Sequence, residues 1–132
     1  MIHTAVRQLP VRKGRLILGY VRAEPGHDAL VAEGEAQLSQ WASSSGLLLG
    51  AVFSDNTVLP PLERRGFRRL QNLVHRLRPI GLATPSTWHI SDDRDELARV
   101  LCHLRSQRCL LLVIDTQVVP GTALDGFSAK GS

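Results

Sequence analysis

The sequence predicts a small α/β domain: a doubly wound, mainly parallel sheet of about four strands with helices on both faces. Three observations carry this. Four short runs are nearly continuous in apolar residues, as strands covered on both sides must be. The stretches between them place apolar residues at helical spacing. The connections are short, which favours right-handed strand–helix–strand crossovers in an open sheet.

The first run, LILGYVRA at 16–23, reads as a buried strand that delivers Arg22 to its exit. A helix follows over about 29–45, with Val31, Leu38, Trp41 and Ala42 on one face and Gly46 as its stop. The second strand is LLLGAVFSD, 47–55. The second helix spans about 62–78; Phe67, Leu70, Leu73, Val74 and Leu77 make its stripe and Pro79 closes it. The third strand, IGLAT at 80–84, is stopped by Pro85. A third helix starts near Ser91, whose hydroxyl is placed to cap free amides, with Asp92, Asp93 and Asp95 at the positive end of the dipole. Its stripe is Leu97, Val100, Leu101 and Leu104, and the last strand is CLLLVID, 109–115.

At 132 residues the chain suffices for one core and not for two. The expected division is an N-terminal extension over 1–15, the α/β domain over 16–116 and a C-terminal tail over 117–132. Both ends read as loosely held, although Val118, Val119, Leu124 and Phe127 offer apolar anchors in the tail. No apolar run approaches the ~20 residues of a membrane span, and the N-terminus lacks the apolar core of a signal peptide. The expectation is a cytoplasmic protein with no membrane partner. Cys102 and Cys109 form no CxxC pair, and the five histidines show no zinc-site spacing, so no metal and no cofactor is expected.

The net charge of +4 comes almost entirely from arginine, since Lys13 and Lys130 are the only lysines. Arginine forks suit phosphate, although a GC-rich genome produces the same bias. On the second helix Arg65, Arg68, Asn72, His75 and Arg76 fall opposite the apolar stripe, with Arg69 at its edge. This basic face suits DNA phosphates, bound weakly and without sequence preference, or an acidic protein partner; it is equally the pattern of a solvated helix face.

In open sheets of this kind ligands bind beyond the carboxyl ends of the strands. That edge collects Arg22 and Glu24, Ser54 and Asp55, and Thr84 to His89. AEPGHD, after the first strand, is neither GxGxxG nor a P-loop. A Ser86–His89 hydrolytic pair is conceivable, but a Ser and a His three residues apart in a loop are common by chance.

The order GYVR, Gln37-Leu38, Trp41-Ala42, Gly46, Val52-Phe53, Asp55 and ERRGF at 63–67 resembles the catalytic domain of serine recombinases, the resolvase/invertase family. The resemblance runs from about Leu16 to Asp115 and is specific over 16–70. It implies strand order 2-1-3-4 and a chemistry in which a serine attacks a DNA phosphodiester held by arginines. Arg22 matches the first-strand arginine, and Arg64 the arginine of the family's ERPGF-like segment. The nucleophilic serine falls on Glu24. The Ser-Gly after the second strand has no match in DNTVLPP, and the Asp-Arg-x-x-Arg after the third strand falls on about Ser86 to Ile90, without an acid or an arginine. Phosphoryl transfer rests on positioning and electrostatic stabilisation, and a carboxylate at the nucleophile position opposes both.

The resulting expectation is a catalytically degenerate pocket of Arg22, Glu24 and Arg64, with Glu24 paired to one of the arginines, in a non-catalytic binding or regulatory module. Arg65, Arg68, Arg69 and Arg76 are its candidate DNA contacts. The alternatives are a divergent recombinase that still cleaves and exchanges DNA strands, and a small-molecule-binding flavodoxin-like domain.

Overall fold

In the computed structural model, which describes residues 15–114, β1 (Leu16–Ala23) lies at the centre of a four-stranded, all-parallel sheet ordered β2-β1-β3-β4. This is the order implied by the resemblance. β2 (Leu48–Asn56) pairs along the whole of β1, so that Arg22 faces Asp55 across the ladder. β3 (Gly81–Thr84) and β4 (Leu110–Val113) are half as long, and β1 pairs with β3 only as far as Gly19↔Ala83. β3 ends because Pro85 has no amide to continue a ladder.

The pleat sends alternate residues of β1 to two cores. Leu18 and Tyr20 join Phe67, Leu70 and Val74 of α2 (Arg65–Leu77) and Val100 and Leu104 of α3 (Arg94–Ser106). Ile17 and Val21 face the other way and pack with Leu38 and Ala42 of α1 (Asp28–Ser44). The helices therefore cover both faces, two on one side and one on the other, and Arg22 shares the side of Leu18 and Tyr20.

Three local expectations change. The second helix does not run unbroken from about residue 62: a single 3-10 turn, Pro61–Glu63, is followed by Arg64 in extended conformation (φ −88°, ψ 132°), and α2 begins at Arg65. Its last stripe residue, Leu77, is 48 % exposed and lies outside the core. The cap of α3 is Asp93 rather than Ser91. The Asp93 carboxylate accepts from the amides of Asp95 at 2.8 Å and Glu96 at 3.2 Å, while the Ser91 hydroxyl accepts from Asp93 N–H and donates to Glu96. Two tandem aspartates compete for a cap, and the one next to the first helical residue wins.

No described helix is long and apolar enough to cross a membrane, and the described residues contain no group of three or more His, Cys, Asp or Glu placed to hold a metal. The readings of the N-terminal extension, the tail with its apolar anchors and the outer domain boundaries lie outside the described residues.

Candidate functional site

The site forms where β1 runs past the end of β3. Beyond Gly19↔Ala83 the backbone of β1 is buried but has no strand on that side, and such groups must be satisfied. Side chains take the place of the missing strand. Thr84 Oγ1 donates to the Tyr20 carbonyl at 2.9 Å, and the Arg22 amide donates to His89 Nδ1 at 2.9 Å. That bond fixes the His89 tautomer, with the proton on Nε2 when the ring is neutral. Nδ1 is committed to the backbone of Arg22, which removes it as a base for Ser86.

Two arginines converge here, both buried: Arg22 is 5 % exposed and Arg64 2 %. Arg22 donates from Nη2 to the Trp88 carbonyl at 2.7 Å, from Nη1 to the Thr57 carbonyl at 3.3 Å and from Nε to the His89 carbonyl at 3.4 Å. Its Cζ lies 3.9 Å from the centroid of the Trp88 ring, a cation–π contact. Arg64 donates from Nε to the Leu59 carbonyl at 2.7 Å and from Nη1 to the His89 carbonyl at 2.9 Å. Burial pulls the Arg22 guanidinium below its ordinary pKa, the nearby charge of Arg64 adds to that, and Asp92 opposes it.

Asp55 organises the other wall. Its carboxylate accepts from the Tyr20 hydroxyl at 2.7 Å, from Gly66 N–H at 2.8 Å and from Phe67 N–H at 2.9 Å. It thus caps α2 from across the loop, because Arg64, at the N-cap position, has no acceptor to offer. The cap needs Gly66: a Cβ there would lie 2.4 Å from the Ser54 carbonyl oxygen. Tyr20 meets Phe67 edge-to-face at 5.1 Å between centroids. Burial and the bond to Asp55 raise the Tyr20 phenol well above its ordinary pKa.

Glu24 is exposed and lines an open pocket of about 250 Å³ together with Arg22 and Arg64. The expected ion pair is not formed: the hydrogen bonds of Arg22 and Arg64 go to backbone carbonyls. Glu24 lies beyond the strand end, whereas the Arg22 side chain turns to Thr57, Trp88 and His89. The same pocket also receives Asp92, Asp93 and Glu96, so four carboxylates face two arginines. The acids after the third strand, Trp88 as a lid on Arg22, and the carbonyl acceptors were not identified from sequence. In the sequence the run SDDRDE carries only the signal of a helix start.

The basic residues of α2 stand apart from this pocket. Arg65, Arg68, Arg69, His75 and Arg76 are all exposed, and α2 contains no acidic residue. The helix dipole favours anions at its N-terminus, yet Arg64, Arg65, Arg68 and Arg69 crowd that end.

A four-stranded parallel sheet in this order, with an arginine at the exit of its central strand and a second at the start of the helix after β2, defines a protein with the fold of serine recombinase catalytic domains. Solved structures that it resembles include domains of that kind. The C-terminal catalytic domain of ISC1926 TnpA, an IS607-like serine recombinase, superposes with a TM-score of 0.69 at 13 % identity, over 75 % of this chain and 69 % of that one. The N-terminal catalytic domain of TP901-1 integrase gives 0.66 at 18 % identity, over 79 % and 80 %. A serine recombinase from Sulfolobus solfataricus gives 0.62 at 14 % identity, over 80 % and 72 %. No protein-family model and no curated protein sequence matches the chain.

Proposed function

We propose that this chain is a non-catalytic binding module on a serine-recombinase scaffold, with DNA as its partner through the basic face of α2. One observation carries the non-catalytic part. The two arginines that match the family's phosphate-binding positions are buried with their donors on backbone carbonyls and, for Arg22, a tryptophan on its face. A hydrogen bond from a charged donor contributes about 1.5–3 kcal/mol and a desolvated cation–π contact about 2 kcal/mol. Turning Arg22 toward a phosphate therefore costs several of these at once. The pocket returns little, since Glu24, Asp92, Asp93 and Glu96 repel an anion. The serine expected at the nucleophile position is Glu24, whose carboxylate is no substitute for a hydroxyl attacking a phosphodiester.

DNA as the partner is supported by the basic, exposed outer face of α2 and by the recombinase likeness. The test of inertness is incubation of the protein with supercoiled DNA, followed by denaturation and a search for covalent protein–DNA adducts and nicks. Neither the wild-type chain nor Glu24→Ser is expected to yield any. Cleavage by the wild type that disappears in Arg22→Ala overturns the reading in favour of a divergent recombinase.

A further inference from the structure

We infer that the groove between α2 and α3 is a docking site for a peptide segment of a partner protein that carries apolar side chains next to a lysine or arginine. The inference rests on the non-catalytic reading of the Arg22 pocket, because it assigns that pocket's carboxylates to a ligand of the opposite charge. A second cavity of about 490 Å³ lies beside it, lined by Pro61, Leu62, Gln71 and Val100 among others. Pro60 and Glu96 belong to the walls of both cavities, so the two are halves of one groove.

The halves differ in chemistry. The α2–α3 half has an apolar floor between Glu63, Arg99 and His103, with Leu62 60 % exposed at its edge, while Val58, 68 % exposed, lines the other half. Exposed apolar side chains on one short loop are what a protein-docking rim presents. The other half sets four carboxylates against two guanidiniums, both buried and bonded to backbone carbonyls, so acid exceeds base there. It therefore attracts a cation and repels a phosphate or an acidic peptide. Gln71 of α2 and Val100 of α3 line the α2–α3 half from opposite sides. Apolar anchors over Leu62 and Val100 and a cationic side chain among Glu24 and Asp92 describe one occupant. The basic face of α2 answers to neither half, so DNA and the peptide are separate ligands.

Selection of a phage-displayed random peptide library on the immobilised full chain tests this. Enriched sequences are expected to place Lys or Arg beside Leu, Ile, Met or Phe. A synthetic peptide from that set should bind about tenfold more weakly to the double variant Glu24→Lys/Asp92→Lys and to Leu62→Asp. These side chains are exposed, and circular dichroism should show all variants folded. Arg68→Ala, on the outer face, should bind the peptide as the wild type does. Enrichment of acidic or purely apolar peptides, no enrichment, or equal binding by both groove variants overturns the proposal. So does a concentration-dependent dimer, seen by sedimentation, that Leu62→Asp abolishes, because the groove is then filled by a second copy. DNA adducts in the cleavage assay strike at the non-catalytic reading instead, so the two failures are distinguishable.

Discussion

Arg22 and Arg64 both donate to the carbonyl oxygen of His89, at 3.4 and 2.9 Å. Two like charges meet on one backbone acceptor, each buried, and the chain after β3 is thereby tied to β1 and to the start of α2. The arginines that the resemblance assigns to a phosphate act here as staples.

A staple should register in stability rather than in chemistry. Arg64→Ala leaves the Leu59 carbonyl without its side-chain donor and thins the bonding at His89, and a loss of about 3 kcal/mol is expected. Arg64→Lys should restore only part of it, since an ammonium cannot serve two carbonyls as a planar fork does. Urea denaturation measures both. An unchanged midpoint for Arg64→Ala would mean that the guanidinium is not structural.

The Asp55 cap makes a sharper demand. Gly66→Ala places a methyl group 2.4 Å from the Ser54 carbonyl oxygen, which is backbone and cannot swing aside. The expected loss is about 3 kcal/mol, from overpacking and the forced opening of the cap. Tyr20→Phe removes one of the three bonds to Asp55 and keeps the edge-to-face contact with Phe67, so it should cost only about 1 kcal/mol. If the two variants are equally stable, the close packing of the α2 N-terminus against β2 is not what holds this corner.

Stability should fall in alkali in two steps. Burial pushes the Cys109 thiol up to about 12, and Tyr20 is raised as well, by burial first and then by its bond to Asp55. For both groups the folded chain keeps a proton that the unfolded chain has already lost. Their contribution is complete below the unfolded value and declines as pH rises past it. The decline begins near the ordinary thiol value of about 8.5 and steepens above about 10, each group contributing up to about 1.4 kcal/mol per pH unit. Tyr20 is the only tyrosine in the chain, so tyrosinate absorbance should appear only with unfolding. Urea midpoints measured across this range should lose their first slope in Cys109→Ala. A thiol reagent should label Cys102, which is exposed, before the buried Cys109.

The strands were legible because a sheet covered on both faces demands continuous apolar runs, and LILGYV and LLLVI have no other ready use. Their order was not in the pattern itself; the resemblance supplied it. What sequence reasoning misplaced depends on acceptors without a residue-type signature. Every residue carries a carbonyl, so nothing in the sequence marks those of Thr57, Trp88 and His89 as the partners of Arg22. Glu24, two residues away and oppositely charged, is the partner that local rules pick out, and the bonds of Arg22 go elsewhere. The cap of α2 likewise comes from Asp55, eleven residues before Gly66. Local rules search the preceding few residues, and there they find only Glu63 and Arg64.

The basic face of α2 decides between a DNA-binding module and a solvated helix. Arg65, Arg68 and Arg76 are exposed and contribute nothing to the apolar core, so their replacement by Ala should leave the circular dichroism spectrum unchanged. Removing Arg65 and Arg68 should even relieve some repulsion from the positive end of the helix dipole, worth about 0.3–1 kcal/mol each at low salt. Stability and DNA affinity are therefore expected to move in opposite directions, which misfolding cannot imitate. Binding should be weak and indifferent to sequence, because phosphate contacts carry no base information. On duplex DNA the slope of log affinity against log salt should be about −0.9 per phosphate neutralised. Each arginine removed should flatten it by up to about one unit if that side chain meets one phosphate. Gel shifts over a range of salt concentrations measure this directly. A triple variant that keeps the wild-type affinity and slope would leave α2 a solvated face and move any DNA contact elsewhere on the chain.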